Sequence, residues 1–384
     1  MIDITEHTQC FGCTACQQIC HAQAISMTAD TEGFLYPSVD KQKCLDCGLC
    51  EKVCPALQES NTNKSTEQHI YALRHRDPSI LKKSASGGAF SVFAQQILEH
   101  KGVVFGVAYQ NHMIARHISV ESVEDLSSLH DSKYVKSYLG DTFSTIGKHL
   151  KDGREVMFVG TPCQVAGLKN YLRKPYQNLL TCDLLCHSVA SPMIFAKYID
   201  FVERKTGKKV INLSLRDKSK GWGVLSSRME FADGSCLKDS YWASTWVSAY
   251  NSMLVTRPSC HNCPFCSFER CGDISIGDFW GIKKSHPEFY NAAGVSILMV
   301  NTAQGQAYFN QVKERCDFIE SNRTKAVQPV LVAPQQVSAL RKAFWHDYTQ
   351  GGIDKVMRKY WGYTFSRRLK LWAMPLYNIL KNRK

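Results

Sequence analysis

The chain has 384 residues, 44% hydrophobic and 21% charged, with a formal charge of +13 and 17 cysteines. That is the balance of a globular protein with a sizeable core; no apolar run nears the ~18 residues of a membrane span, and Met1 to Glu6 has neither the basic start nor the apolar stretch of a secretory signal. So many cysteines without an export signal imply metal ligation in a reducing compartment, with the cytoplasm as the expected location.

The first element is a double cysteine run. Cys10, Cys13, Cys16 and Cys20, then Cys44, Cys47, Cys50 and Cys54, each read C-x2-C-x2-C-x3-C. In this spacing three thiolates wrap one cubane and the fourth is handed to the other cluster. The expected first [4Fe–4S] site is therefore Cys10, Cys13, Cys16 and Cys54, and the second is Cys44, Cys47, Cys50 and Cys20. A zinc ribbon would instead show paired C-x2-C halves. His21 stands where the second run has Pro55, which leaves the ligand count unchanged.

Residues 1–58 thus read as a small bacterial-type two-cluster ferredoxin-like domain, and the polar stretch 59–68 as a linker. From 69 to 330 short apolar strands alternate with amphipathic helices, which predicts a larger mixed α/β domain, with a division near 150 left open. Strands are expected at 69–73, 103–109, 155–159, 179–185, 210–215, 226–231, 274–276 and 295–300. Helices are expected at 89–99, 142–150, 192–204 and 302–314. Residues 331–384 are expected to form a basic amphipathic helical tail, in which, from residue 351 on, Lys355, Arg358, Lys359, Arg367 and Arg368 stand against Asp354 alone. The tail reads either as a surface covering of the main domain or as a contact with an acidic partner or an anionic membrane surface. Nucleic acid is not expected, because no recognition motif accompanies the charge. Each cubane with its thiolates also carries about −2, so three of them would bring the net charge to roughly +7.

Three small-residue loops stand out. Ser86-Gly87-Gly88 precedes a helix start, where exposed N–H groups suit a phosphate. Ser132-Lys133-Tyr134 offers a hydroxyl, a cation and a ring. Gly160-Thr161-Pro162-Cys163-Gln164 is a strand-to-helix turn with Pro162 near the first helical position. None is a Walker or Rossmann fingerprint, and each also fits a tight turn. A third cysteine group, Cys260, Cys263, Cys266 and Cys271, would hold a third [4Fe–4S] cluster or a structural zinc. Cys163, Cys182 and Cys186 are placed to exchange with Cys266 and Cys271. Cys182, Cys236 and Cys316 otherwise read as small buried hydrophobes. His187, next to Cys186, is either a proton donor or a structural histidine.

In order, these motifs together with Cys186-His187 and Gly277-Asp278-Phe279-Trp280-Gly281 resemble the coenzyme F420 hydrogenase/dehydrogenase beta-subunit family, fused behind a two-cluster ferredoxin. The resemblance implies a bound FAD, lined by the Ser86, Ser132 and Gly160 loops. It also implies a further cluster on Cys163, Cys186, Cys260 and Cys263, with Cys266 and Cys271 as alternative ligands. Two departures are visible: Cys266 and Cys271 are additional, and Ser188 stands where glycine is expected. The expectation is a FAD-dependent oxidoreductase passing electrons between clusters and flavin, to or from an organic acceptor such as a deazaflavin. The alternative is a beta-type electron-transfer subunit that docks to a separate catalytic partner. Either way the exchange is with an electron-carrying protein or a small organic redox substrate.

Overall fold

The computed structural model describes residues 1–4, 6–58 and 68–367. The linker 59–68, except Gln68, and the tail beyond 367 lie outside the described residues.

Each head loop needs left-handed backbone at two repeat-equivalent positions. These are Gly12 (φ 62°) and Thr14 (φ 60°) in the first run, and Asp46 (φ 48°) and Gly48 (φ 69°) in the second. The curl turns backbone N–H groups onto sulfur: Gly12 donates to Cys10 Sγ and Asp46 to Cys44 Sγ, both at 3.4 Å. Short helices Ala15–Ile19 and Leu49–Lys52 follow these loops. Between the runs, β1 (Ile25–Ala29) and β2 (Leu35–Val39) pair antiparallel.

The body supplies β3 (His69–His75), β4 (Val103–Gln110), β5 (Ile114–Val120), β6 (Val156–Gly160) and β7 (Leu179–Leu184). Then come β8 (Val210–Ser214), β9 (Arg228–Phe231), β10 (Cys236–Lys238), β11 (Ile274–Asp278), β12 (Ser296–Val300) and β13 (Cys316–Ser321). Eight of these form one sheet in the order β13-β3-β12-β11-β7-β6-β4-β5, so strands from both sides of residue 150 share it. Its centre, β4, β6, β7 and β11, is parallel, and its flanks are antiparallel. β6 and β12 are buried along their whole length, which is why VMFVG and SILMV are continuous apolar runs without alternation.

Helices cover both faces. Ala89–Glu99 packs Val92, Phe93 and Ile97 on one side, and Thr142–Lys151 and Pro162–Leu172 pack Phe143, Ile146 and Leu168 on the other. A third cluster joins helices Pro192–Thr206 and Tyr241–Asn251 to the three-stranded sheet β10-β9-β8. The Pro192–Thr206 helix has local reasons to begin and end. Ser191 Oγ accepts from Ile194 N–H at 3.2 Å, Pro192 fills the first position, and Gly207 closes it at φ 68°.

The tail's described part covers the body. Helix Arg341–Lys359, kinked at Gly352, buries Phe344, Val356 and Met357 in that third cluster, where Trp361 joins them. Its basic residues are less free than the sequence suggests. Lys355 and Lys359 both pair with Asp347, at 2.8 and 2.6 Å, and Asp354 with Arg204 at 2.5 Å. No helix among the described residues is long and apolar enough to cross a membrane.

Candidate redox site

The head is fixed to the body at its first cysteine loop. Arg257, 1% exposed, donates from Nε to Cys10 O at 2.8 Å and from Nη2 to Leu35 O at 3.0 Å. Lys136 Nζ donates to Phe11 O at 3.1 Å. Gln18 Oε1 accepts from Phe143 N–H at 2.9 Å. Further out, Arg341 Nη1 pairs with Glu32 Oε1 at 2.8 Å, and Gly33 lies against Met193 with no room for a side chain.

The sequence-predicted first site comes together. Burial, then the charges of Cys54, Cys10 and Cys163, push the Cys13 thiol up to about 12. Cys16 rises by burial, with Cys13, Cys10 and Cys54 adding to it. Buried thiols that repel one another's charged forms stay protonated unless a cation lies among them, and the iron of a cluster would be such a cation. At the second run, Ile2 N–H donates to Cys50 Sγ and Ala24 N–H to Cys20 Sγ, each at 3.3 Å, and Cys47 is exposed.

Cys163 is within electrostatic reach of Cys13, and it also belongs to the third group. It sits in the first turn of the Pro162–Leu172 helix, opened by Thr161 and Gln164: Gln164 Oε1 accepts from Thr161 N–H at 3.0 Å. The Cys186 thiol is raised by burial and by Cys260, Cys163 and Cys263, and Cys260 reaches about 12 through burial, Cys163 and Cys263. Four half-buried thiols from three separate segments therefore lie within one another's electrostatic reach. Cys266 hydrogen-bonds to Cys263 at the edge of this group. Cys271 feels Cys163 as well, but its Sγ is taken up by other partners, 3.1 Å from Pro162 O and 3.7 Å from Asp183 Oδ2. Among the described residues no three His, Cys, Asp or Glu side chains converge on a single ion. A tetrahedral zinc needs all four sulfurs at about 2.3 Å, whereas a cubane spreads them over its corners.

Two expectations for cysteines change. Cys182 is buried inside β7, away from any strand-end loop, and Cys316 is buried as expected, but Cys236 is exposed on the short strand β10. A three-residue strand at the edge of its sheet gives Cys236 no layer to be covered by.

Beside the third group opens a cavity of about 690 Å3, inside the range of about 300–1,000 Å3 usual for cofactor sites. It lies where β6, β7 and β11 end in Gly160, Leu184 and Asp278, the carboxyl edge of the parallel strands. Ser86, Gly88, Ser132, Lys133, Tyr134, Gly160, Thr161 and Gln164 line it, and so do Cys186 and His187. Gly87 and Pro162 do not. Gly87 is glycine for packing, since a Cβ there would stand 2.3 Å from Leu73 O and Ser296 N. Pro162 is buried behind the wall. Lys133 also differs from its expected role, because its ammonium turns back onto the carbonyls of Ser128, His130 and Asp131. Burial lowers its pKa to about 8. Tyr134 already stacks on Tyr250 at 4.6 Å, and His187 on Trp280 at 4.9 Å. Burial lowers the His187 pKa.

The lining suits a large ligand with both acceptors and donors. Gln328 Oε1 is a buried wall acceptor with no partner among the described residues, and such an atom is costly unless a ligand N–H or water meets it. At the mouth Arg216 Nη2 pairs with Asp278 Oδ2 at 2.5 Å, and Trp222 Nε1 donates to Asp278 Oδ1 at 3.1 Å. Behind the wall runs a network that the sequence did not announce. Gln164 Nε2 donates to Ser137 Oγ at 3.0 Å, the Ser137 hydroxyl meets His117 Nδ1 at 3.2 Å, and His117 Nε2 donates to Val159 O at 3.2 Å.

Comparison with known proteins agrees with this division. Residues 153–325 match the family described as the C terminus of the coenzyme F420 hydrogenase/dehydrogenase beta subunit, and residues 9–57 match the 4Fe-4S dicluster domain. Among solved structures, a chain from the xenon-derivatised F420-reducing [NiFe] hydrogenase complex of Methanosarcina barkeri is similar. Its TM-score is 0.44 at 16% identity, over 79% of this chain and 93% of that one. No curated protein sequence matches.

Proposed function

We propose that this chain is an iron–sulfur flavoprotein oxidoreductase, starting from its similarities: residues 153–325 match the C terminus of the coenzyme F420 hydrogenase/dehydrogenase beta subunit, and residues 9–57 match the 4Fe-4S dicluster domain. The observation that carries the reading is Cys186. Its thiol keeps company with Cys163, Cys260 and Cys263, and its residue also lines the 690 Å3 cavity. Cys13 of the head in turn feels Cys163. Sulfur ligands thus succeed one another from the second head site, through the first, to the cavity wall.

In this reading Cys10, Cys13, Cys16 and Cys54 hold the inner head cluster and Cys44, Cys47, Cys50 and Cys20 the outer one. Cys163, Cys186, Cys260 and Cys263 hold a third. FAD, when bound, supplies the step between one-electron carriers and a two-electron organic acceptor. The protein's part is to bind, orient and shield. Ser86 and Gly88 line the cavity where the Ala89–Glu99 helix begins, a place suited to a pyrophosphate. Gln328 Oε1 can accept a ligand N–H, while Tyr134 and Tyr250 form a flat apolar wall. His187 and Trp280 flank the mouth, where an acceptor would approach. The electron donor is a protein or a small carrier, and Cys47, exposed at the outer head site, is the nearest approach for it.

Anaerobic purification followed by iron, zinc and flavin quantitation tests the proposal: three cubanes and a flavin predict about twelve irons and about one FAD per chain. About eight irons with zinc and no flavin would overturn it.

A further inference from the structure

The two head sites sit in different electrical surroundings. Around the outer run the charged side chains are exposed and mixed in sign: Lys41, Lys43, Asp46 and Lys52, with Glu51 half-exposed. The Met1 ammonium lies 3.1 Å from both Asp46 Oδ1 and Glu51 Oε1. Solvent and three N–H···S bonds, to Cys44, Cys50 and Cys20, serve that site. The inner site is buried except at half-buried Cys10, and backbone N–H groups serve its sulfurs too: Gly12 for Cys10, Ala15 for Cys13, Gln17 for Cys16, and Ala56 and Leu57 for Cys54. What it has in addition is full charge. Arg257 (1% exposed) and Lys136 (7% exposed) hold the carbonyls of Cys10 and Phe11, and among the described residues neither is in an ion pair.

Both cations also face the third group. The Arg257 charge acts on Cys260 and the Lys136 charge on Cys186. Arg257 Nη1 has no hydrogen-bond partner among the described residues and would lie 2.9 Å from a Cβ on Gly12, the residue whose N–H serves Cys10. Its ring neighbours, Tyr36 at 4.4 Å and Phe34 at 5.3 Å, exclude water without neutralising it. Two buried, unpaired cations are costly alone. They become favourable only beside buried negative charge, and the thiolate-ligated sites are the negative charge within reach.

We propose that Arg257 and Lys136 are potential-setting residues, which stabilise an added electron at the buried junction between the inner head site and the third cysteine group. The inference rests on the reading that these cysteines hold clusters. Uptake of one electron from an external one-electron donor makes the junction one charge more negative; no bond forms or breaks and no proton is needed. In surroundings of low dielectric, burial alone would drive such a site toward more negative potential, and a fixed cation opposes this far better than an exposed one. The outer site, stabilised by water and N–H dipoles, needs neither residue. Salt should therefore move the outer midpoint and leave the inner one nearly still.

The test is EPR-monitored redox titration of the full, anaerobically prepared protein, with Cys47→Ser used to mark the outer site's signal. Arg257→Gln and Lys136→Met should each shift the inner and third midpoints to more negative potential and leave the Cys47-marked one in place. Arg257→Lys should restore most of the shift. Raising salt should move only the Cys47-marked signal. If Arg257→Gln fails to fold, Lys136→Met, which leaves the Arg257 contacts intact, carries the same prediction. Cluster signals present with no selective shift, or with an equal shift at all sites, would overturn the inference alone. Absence of the cluster signals would overturn the reading beneath it as well.

Discussion

Cys13 lies directly on Gly167: a Cβ placed at Gly167 would stand 2.9 Å from Cys13 Cβ and 3.0 Å from its Sγ. The contact seats the inner head loop on the helix whose first turn carries Cys163, so the head and the third group share one rigid support.

Gly167→Ala should therefore destabilise the protein, although alanine is the better helix former. The propensity gain is at most about 1 kcal/mol, whereas overpacking a seated contact costs about 1–3 kcal/mol. Cys13 cannot swing aside while it ligates. Thermal melting of the anaerobic protein should show a lower midpoint for Gly167→Ala, and a raised midpoint would mean that the seat is loose.

A second prediction concerns Asp183 and Arg270, both at most 2% exposed. Arg270 Nε donates to Asp183 Oδ1 at 3.0 Å, Nη1 to Phe265 O at 2.9 Å, and Nη2 to Leu184 O at 3.0 Å. Gly272 N–H donates to Asp183 Oδ2 at 2.7 Å. The pair ties the end of β7 to the loop carrying Cys263, Cys266 and Cys271. Arg270→Met leaves a carboxylate buried and unpaired, which should cost about 3–5 kcal/mol. The midpoint of urea unfolding should fall accordingly; a loss under about 1 kcal/mol would show that water reaches Asp183.

Much of the site was legible because it is written in local spacing. The two cysteine runs and helix 89–99 depend on neighbours within a few residues. β5, the helix Tyr241–Asn251 and β13 escaped detection. Arg116 and His117 interrupt β5, while β13 carries Asp317 and Glu320, so neither shows a clean apolar pattern. Apolar and aromatic residues spread around the Tyr241–Asn251 helix obscure a face. Arg257, Lys136 and His117 were missed for another reason: their partners are far away in the chain, as Arg257 is from Cys10. The visible signal for Asp183 was a carboxylate ending an otherwise apolar strand, and for Arg257 its place just before Pro258 and Cys260.

The third prediction is a pH dependence. His117 is buried between Val159 O and Ser137, and burial, with Lys136 nearby, holds its pKa down to about 3 from 6.5. Burial likewise holds His130, on the cavity wall, down to about 4. Between the folded and unfolded values the unfolded chain binds more protons. The stabilisation is thus complete above about 6.5 and is lost as pH falls, by up to ~1.4 kcal/mol per pH unit per group. Stability compared at about pH 7.5 and about pH 5.5 should fall less in His117→Asn than in the parent. An identical slope would place the acid sensitivity elsewhere.

The last prediction separates the six cysteines around the third group. All six act on one another electrostatically, but Cys271 is held apart by geometry, its Sγ 3.1 Å from Pro162 O and 3.7 Å from Asp183 Oδ2. Cys186→Ser should lower the iron content by about four atoms per chain, one cubane, and weaken flavin retention, because residue 186 is also cavity wall. Cys271→Ser should keep all its iron and lose only packing, about 1 kcal/mol or less. Cys266→Ser is the sharper case, because Cys266 hydrogen-bonds to Cys263 at the edge of the group. As a neighbour it should leave the iron count intact and alter only the EPR line shape of the third signal. Loss of a whole cluster from Cys266→Ser, with Cys163→Ser retaining one, would make the ligand set a loop-borne one and detach it from the helix that seats Cys13.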